Sequence, residues 1–156
     1  MKLSKKLEPL FAGLFASIII GVLSFLSFET STGFWLMFSF GSSTLIVLVF
    51  YDSEFAQPAN VFLGHLLAIV IGILFNEFLG ISYLTLGLSV GTTVTLMMYF
   101  KIIHPPAAAN PLIALFADVS FGYIIFPVVV GSIVIVILSV IINRYIFKRN
   151  YPVKWF

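Results

Sequence analysis

Between Thr30 and Val140 the chain has only five charged side chains, Asp52, Glu54, Glu77, Lys101 and Asp118, and each stands near the end of an apolar run. Charges confined to the ends of apolar segments are the pattern of a polytopic membrane protein, whose charged groups sit at the bilayer surfaces. The composition agrees, with 61% hydrophobic and 9% charged residues and a mean hydropathy of +1.17, where soluble domains carry about 25% charged residues. Each helix needs roughly 20 residues to cross a hydrocarbon core of about 30 Å. The 156 residues therefore allow one compact bundle of five to six transmembrane segments and leave no room for a separate soluble domain. The expected fold is an all-α, polytopic membrane helix bundle, a single integral membrane domain over 1–156.

Six apolar segments can be marked: Leu10 to Phe28, Phe34 to Tyr51, Ala59 to Phe78, Tyr83 to Phe100, Ala107 to Ala117 and Phe121 to Phe147. The first follows Lys2, Lys5 and Lys6 but is longer than a signal-peptide core and lacks a clear small-residue cleavage site, so it reads as a retained helix. The fifth covers only about 16 Å at 1.5 Å per residue, which makes it a short crossing or a re-entrant half-helix. Basic residues gather at both termini, Lys2, Lys5 and Lys6 at one and Arg144, Lys148, Arg149 and Lys154 at the other. The positive-inside rule then places both termini on the cytoplasmic side, which an even number of crossings satisfies. Tyr151, Lys154 and Trp155 read as interfacial anchors.

An internal repeat is visible at an offset of 50 residues. Ser39 aligns with Ser89, Phe40-Gly41-Ser42-Ser43 with Val90-Gly91-Thr92-Thr93, Phe50 with Phe100, Ala59-Asn60 with Ala109-Asn110, and Gly72 with Gly122. The offset spans two crossings, so the halves, about 33–80 and 83–130, run in the same direction as parallel repeats.

The polar residues of the two halves gather around prolines. Pro58 starts one helix and Pro105-Pro106 another, and the backbone N–H groups that follow such a start are unpaired, favouring an anion. Asn60 and Asn110 follow their prolines closely enough for their amides to donate there, and Gln57 directly precedes Pro58. Lys101 and His104 make the second turn the more electropositive, although a histidine before two prolines also serves to cap a turn. His65 is an ionisable group inside a membrane helix, beside a stripe of Gly64, Ala68 and Gly72 that reads as close helix packing. The hydroxyls of Ser42, Ser43, Thr92 and Thr93 either line a polar path or bond back to their own helices. The two histidines make no metal motif, and no phosphate loop, nucleophile elbow or paired acid and base is legible. No enzymatic activity, no cofactor and no nucleic-acid partner is expected. Without cysteine the chain has no disulfide or thiolate chemistry.

FGSSTLIVLVF, FAQPANVFLGHLL and HPPAAANPLIAL, in that order between about Gly33 and Leu115, resemble the HPP family of small integral membrane proteins. The family's tripeptide is His104-Pro105-Pro106 here. Gln57, Pro58, Asn60, Gly64 and His65 match one family block, and His104, Pro105, Pro106 and Pro111 the other. The resemblance implies at least four transmembrane helices and, from the plastid and cyanobacterial members, nitrite transport. Two positions depart from the family pattern: Ala59, where members often have a basic residue, and Ala107, where they tend to have glycine.

The expectation is thus a membrane transporter or channel for a small inorganic anion, nitrite or nitrate, in a homo-oligomer. Lys101, His104 and the helix starts would supply the positive field, and Asn60 and Asn110 the directional donors. Two other readings stay open: a proton or cation pathway through His65, His104, Glu77 and Asp118, and a membrane scaffold or sensor subunit that transports nothing.

Overall fold

In the computed structural model, residues 6–30 and 35–155 are described. Lys2, Lys5 and the segment boundary at Phe34 lie outside them. The described residues form six α-helices and no strand: α1 Glu8–Glu29, α2 Phe38–Val49, α3 Pro58–Leu79, α4 Tyr83–Tyr99, α5 Asn110–Phe116 and α6 Val130–Ile141. Tight 3₁₀ turns over Glu54–Ala56 and Pro105–Ala109 precede α3 and α5. Wider π-helical turns, Ile124–Val129 and Ile142–Ile146, flank α6. Among the described residues three stretches are long and apolar enough to span a bilayer: α1, α3 and Ile124–Ile146.

Local chemistry sets the boundaries. Pro58 is the first residue of α3, where its missing N–H costs nothing, and Gly80 ends that helix with φ +65, a conformation that suits glycine. The Ser82 hydroxyl accepts from the Thr85 N–H and caps α4. The last apolar segment, marked from Phe121 to Phe147, bends at Phe126, whose φ and ψ of −121° and 118° are extended. Pro127 explains the bend, since its ring cannot follow a regular helical turn.

α3 is the axis of the bundle. Half of its residues are buried, whereas α1 fully buries only Ile19 and Leu23 and packs Phe11, Ala12, Phe15, Ala16 and Ile20 partly against the core. The small residues of α3 let its neighbours approach: a Cβ on Gly64 would lie 2.8 Å from the His104 Cβ, and one on Gly72 would lie 2.7 Å from both Ala114 Cβ and Pro111 Cα. Between them Ala68 is buried against Met97 and Ala107. Successive turns of α3 thus receive the His104 turn, Ala107 and α5. Gly131 gives α6 the same closeness to the Phe40 ring and the Trp35 carbonyl.

Both described ends of the chain meet at one end of the bundle. The Arg149 guanidinium pairs with Glu8 and donates to the Leu48 carbonyl at 2.6 Å. The residues after it close over the turn before α3: the Tyr151 hydroxyl donates to Ala56 O at 2.7 Å, and Gln57 Oε1 accepts from the N–H groups of Val153 and Lys154. Tyr151 is therefore buried rather than placed as an interfacial anchor, while Trp155 is exposed. At the opposite end the Asn76 amide donates to Asp118 at 2.7 Å, so the short stretch from Pro105 to Asp118 reaches the far end of α3.

Gly72→Ala should destabilise the protein by about 1–3 kcal/mol, because its methyl group meets backbone and a Cβ that cannot rotate away. Gly13→Ala on the open face of α1 should be neutral or stabilise by up to about 1 kcal/mol. Thermal unfolding in detergent compares the two.

Candidate functional site

Five side chains from four elements meet in the middle of the bundle. Ser39 and Ser43 stand one turn apart on the buried face of α2, His65 comes from α3, His104 from the turn before Pro105, and Asn110 from the first position of α5. Ser43, His65, His104 and Asn110 are fully buried and Ser39 is nearly so. A buried polar group costs free energy unless it is hydrogen-bonded, and each of these is.

The proline after His104 favours extended backbone, and φ −135°, ψ 96° there turn the imidazole into the bundle. His104 Nδ1 lies 2.7 Å from the Phe55 carbonyl, an acceptor only, so this nitrogen carries a proton. In the neutral ring Nε2 is then an acceptor, and it receives the Ser43 hydroxyl proton at 2.9 Å. The lone pairs of Ser43 in turn accept Nε2–H of His65 at 2.8 Å. His65 Nδ1 is left as an acceptor for the Asn110 amide at 3.0 Å, and the same amide nitrogen lies 3.2 Å from the His65 carbonyl. Asn110 Oδ1 accepts from the Ser39 hydroxyl at 2.8 Å. Every donor faces an acceptor from Ser39 through Asn110, His65, Ser43 and His104 to Phe55, and the tautomers follow from that pairing. The Ser39 carbonyl, 3.0 Å from Ser43 Oγ, is the competing acceptor for the Ser43 proton. The two rings sit 5.0 Å apart, and the Phe40 ring stands edge-on to His65 at 5.2 Å.

The remaining sequence candidates lie outside this chain of bonds. Gln57 fixes the loop and the tail, donating to the Tyr51 and Ser53 carbonyls as well as accepting from the tail. Asn60 donates to the Ile103 carbonyl at 3.1 Å. Pro58 is buried, and the next free N–H of α3, that of Ala59, donates to the Trp155 carbonyl. Lys101 is exposed, with φ 57. Thr93 is buried and bonds back to Ser89 O, while Thr92 is half-buried. Pro105 is exposed; Pro106, Ser39 and Ser42 line a groove of about 560 Å³ between α2 and α5 that also holds Phe38, Ala109 and Phe116. Among the described residues no Asp or Glu side chain is buried, and no three His, Asp or Glu side chains group to hold a metal ion. Ser39 entered the sequence reading only as part of the repeat and of the hydroxyl-rich stretch Ser39 to Thr44, and here it joins the chain through Asn110. Phe55 acts through a backbone carbonyl and has no signal in the sequence.

The chain belongs to the HPP family: the family model described as the HPP transmembrane region matches residues 2–152. It is 31% identical over 129 residues to one transmembrane protein of Dictyostelium discoideum, covering 78% of this chain and 42% of that one. It is 28% identical over 125 residues to a second transmembrane protein of the same organism, covering 75% and 44%. The chain thus spans less than half the length of these curated relatives. No solved structure matches it significantly.

Asn110→Leu keeps the volume but unpairs the Ser39 hydroxyl and His65 Nδ1. At about 1–3 kcal/mol for each buried group left unsatisfied, it should lower the unfolding midpoint clearly. Thr95→Ala, on the exposed face of α4, should barely move it. Equal midpoints for the two variants would contradict the pairing described.

Proposed function

We propose that this HPP-family membrane protein moves a small inorganic anion of the nitrite or nitrate class across a bilayer. The observation that carries the reading is the makeup of the buried polar layer: two imidazoles, hydroxyls and an amide, with no carboxylate among the described residues. Hard cations are held by several oxygen ligands, often carboxylates, and this layer is built of N–H and O–H groups instead, paired with one another in the absence of an anion. It comes within reach of the surface at Ser39, where the groove beside Ser42 and Pro106 has room for a triatomic or tetratomic anion. The resemblance to nitrite-transporting members of the family points the same way, and we assign the chain no catalytic step.

The arrangement in the membrane is part of the proposal. We count six crossings, the fifth a shortened one from Pro105 to Asp118, with both termini cytoplasmic. The contacts that support this are Glu8 with Arg149 at one end and Asn76 with Asp118 at the other. We retain the parallel repeat: Ser39 and Ser89 are both buried, Ser43 and Thr93 both bond back to them, and Phe50 and Phe100 both close their helices. A homo-oligomer fits so small a bundle. A second reading, a scaffold that transports nothing, has one observation in its favour, namely that all five side chains of the layer are already paired.

Nitrite flux into liposomes tests the proposal. Wild-type protein should exceed empty vesicles, and His104→Ala should slow the flux by about tenfold, equivalent to some 1.4 kcal/mol or one buried hydrogen bond. Wild-type flux at the level of empty vesicles would favour the scaffold.

A further inference from the structure

The polarity of the buried chain is fixed at one end and exposed at the other. At the His104 end the Phe55 carbonyl accepts in every protonation state and keeps a proton on Nδ1. At the other end Asn110 divides its amide between the Ser39 hydroxyl and His65 Nδ1. Between the rings the Ser43 hydroxyl lies 2.8 and 2.9 Å from the two Nε2 atoms, close enough to pass a proton from ring to ring without moving a heavy atom. Ser39, where the chain ends, lines the groove.

We infer that the His65–Ser43–His104 unit takes up one proton when an anion enters the groove, and that Asn110 couples the two events. This rests on the anion-transport reading and supplies its coupling. In the neutral state the Ser39 O–H is turned inward to Asn110 Oδ1. His65 does not itself line the groove, so the Asn110 amide first swings off His65 Nδ1, and a proton from groove water, entering past Ser39, then adds there and makes the ring an imidazolium. The amide turns over: Oδ1 accepts the new Nδ1–H, and Nδ2 gives up the His65 carbonyl and donates to Ser39 Oγ. The Ser39 proton, released from its inward bond, then donates to the anion in the groove. Inside the bundle Nε2–H of His65 passes to Ser43 Oγ as the hydroxyl's own proton passes to Nε2 of His104. His65 is left neutral with its proton on Nδ1, and His104 becomes the imidazolium, with Nδ1–H still on the Phe55 carbonyl. One proton has entered and none has left, so anion and proton are held one to one.

The surroundings suit a charge that is present only while the anion is. The rings face each other, Ser43 and Phe40 of α2, and Asn110 of α5. On α4 the buried side chains are Thr85, Ser89, Thr93 and Met97, none of them charged. Of the charged side chains on the packed elements and their turns, Asp52, Glu54 and Lys101 are exposed at the turns beside Phe55 and His104. Glu77 and Asp118 lie at the other end, the latter bound to Asn76.

Proteoliposomes holding a pH-sensitive dye and given an inward nitrate gradient read both partners together. Nitrate is the probe because its conjugate acid does not form near neutral pH, so it carries no proton across lipid unaided. Wild-type protein should acidify the lumen by one proton per nitrate taken up. Ser43→Ala should lower the proton-to-nitrate ratio by about tenfold, and Ser43→Thr, which keeps the hydroxyl, should restore it. If Ser43→Ala does not fold by circular dichroism, Ser39→Ala takes its place and should lower the number of protons taken up per nitrate that still enters. Nitrate entry without acidification, or an unchanged ratio in the variants, overturns the coupling and leaves the transport reading standing. Absence of both nitrate and nitrite entry overturns both.

Discussion

The structure depends on one hydroxyl group. In a bundle whose outer face is apolar, water does not pair the polar groups of the interior, and each must find its partner within the protein. Ser43 meets that demand for two imidazoles at once, with one proton to give and two lone pairs to receive. Its position forces three elements together: α2 must present its Ser39–Ser43 face, α3 must bring His65 to the same depth, and the chain must break before Pro105 so that His104 can turn inward. Gly64 of α3 follows from this, because the His104 turn reaches His65 only if residue 64 has no side chain.

A second set of contacts holds the turns in place. Gln57 ties the loop after α2 to the tail through four backbone groups, and Tyr151 seals the same turn through Ala56 O. Phe55, whose carbonyl orients His104, lies between these fixed points. The tail is therefore one residue removed from the end of the buried chain, and shifting Gln57 would alter the acceptor that fixes the His104 tautomer. Asn60 does similar work from the other side by holding the Ile103 carbonyl.

Much of the fold was legible because lipid imposes simple rules. The segments marked by apolarity correspond to the helices, with Ala59 to Phe78 set against Pro58–Leu79, and the shortness of the fifth segment reappears in α5. The small residues at 64, 68 and 72 announced a close approach, and one is present at each. The bend at Phe126 was signalled by Pro127 but hidden in a long apolar run. Of the candidate residues, Ser43, His65, His104 and Asn110 meet. Gln57 and Asn60 are tied to backbone instead, because their partners are carbonyl and N–H groups that no side-chain pattern reveals. The burial of Tyr151 was hidden for the same reason: its partner is the carbonyl of Ala56, far away in sequence.

The central claim is that the two rings are held as opposite tautomers by a single directed chain of hydrogen bonds. Nitrogen-15 NMR of histidine-labelled protein in lipid bilayers at neutral pH observes this directly, with His65→Gln and His104→Gln variants assigning the two rings. The account predicts a neutral His104 protonated on Nδ1 and a neutral His65 protonated on Nε2. A His104 protonated on Nε2 alone, or a His65 protonated on Nδ1 alone, would contradict it.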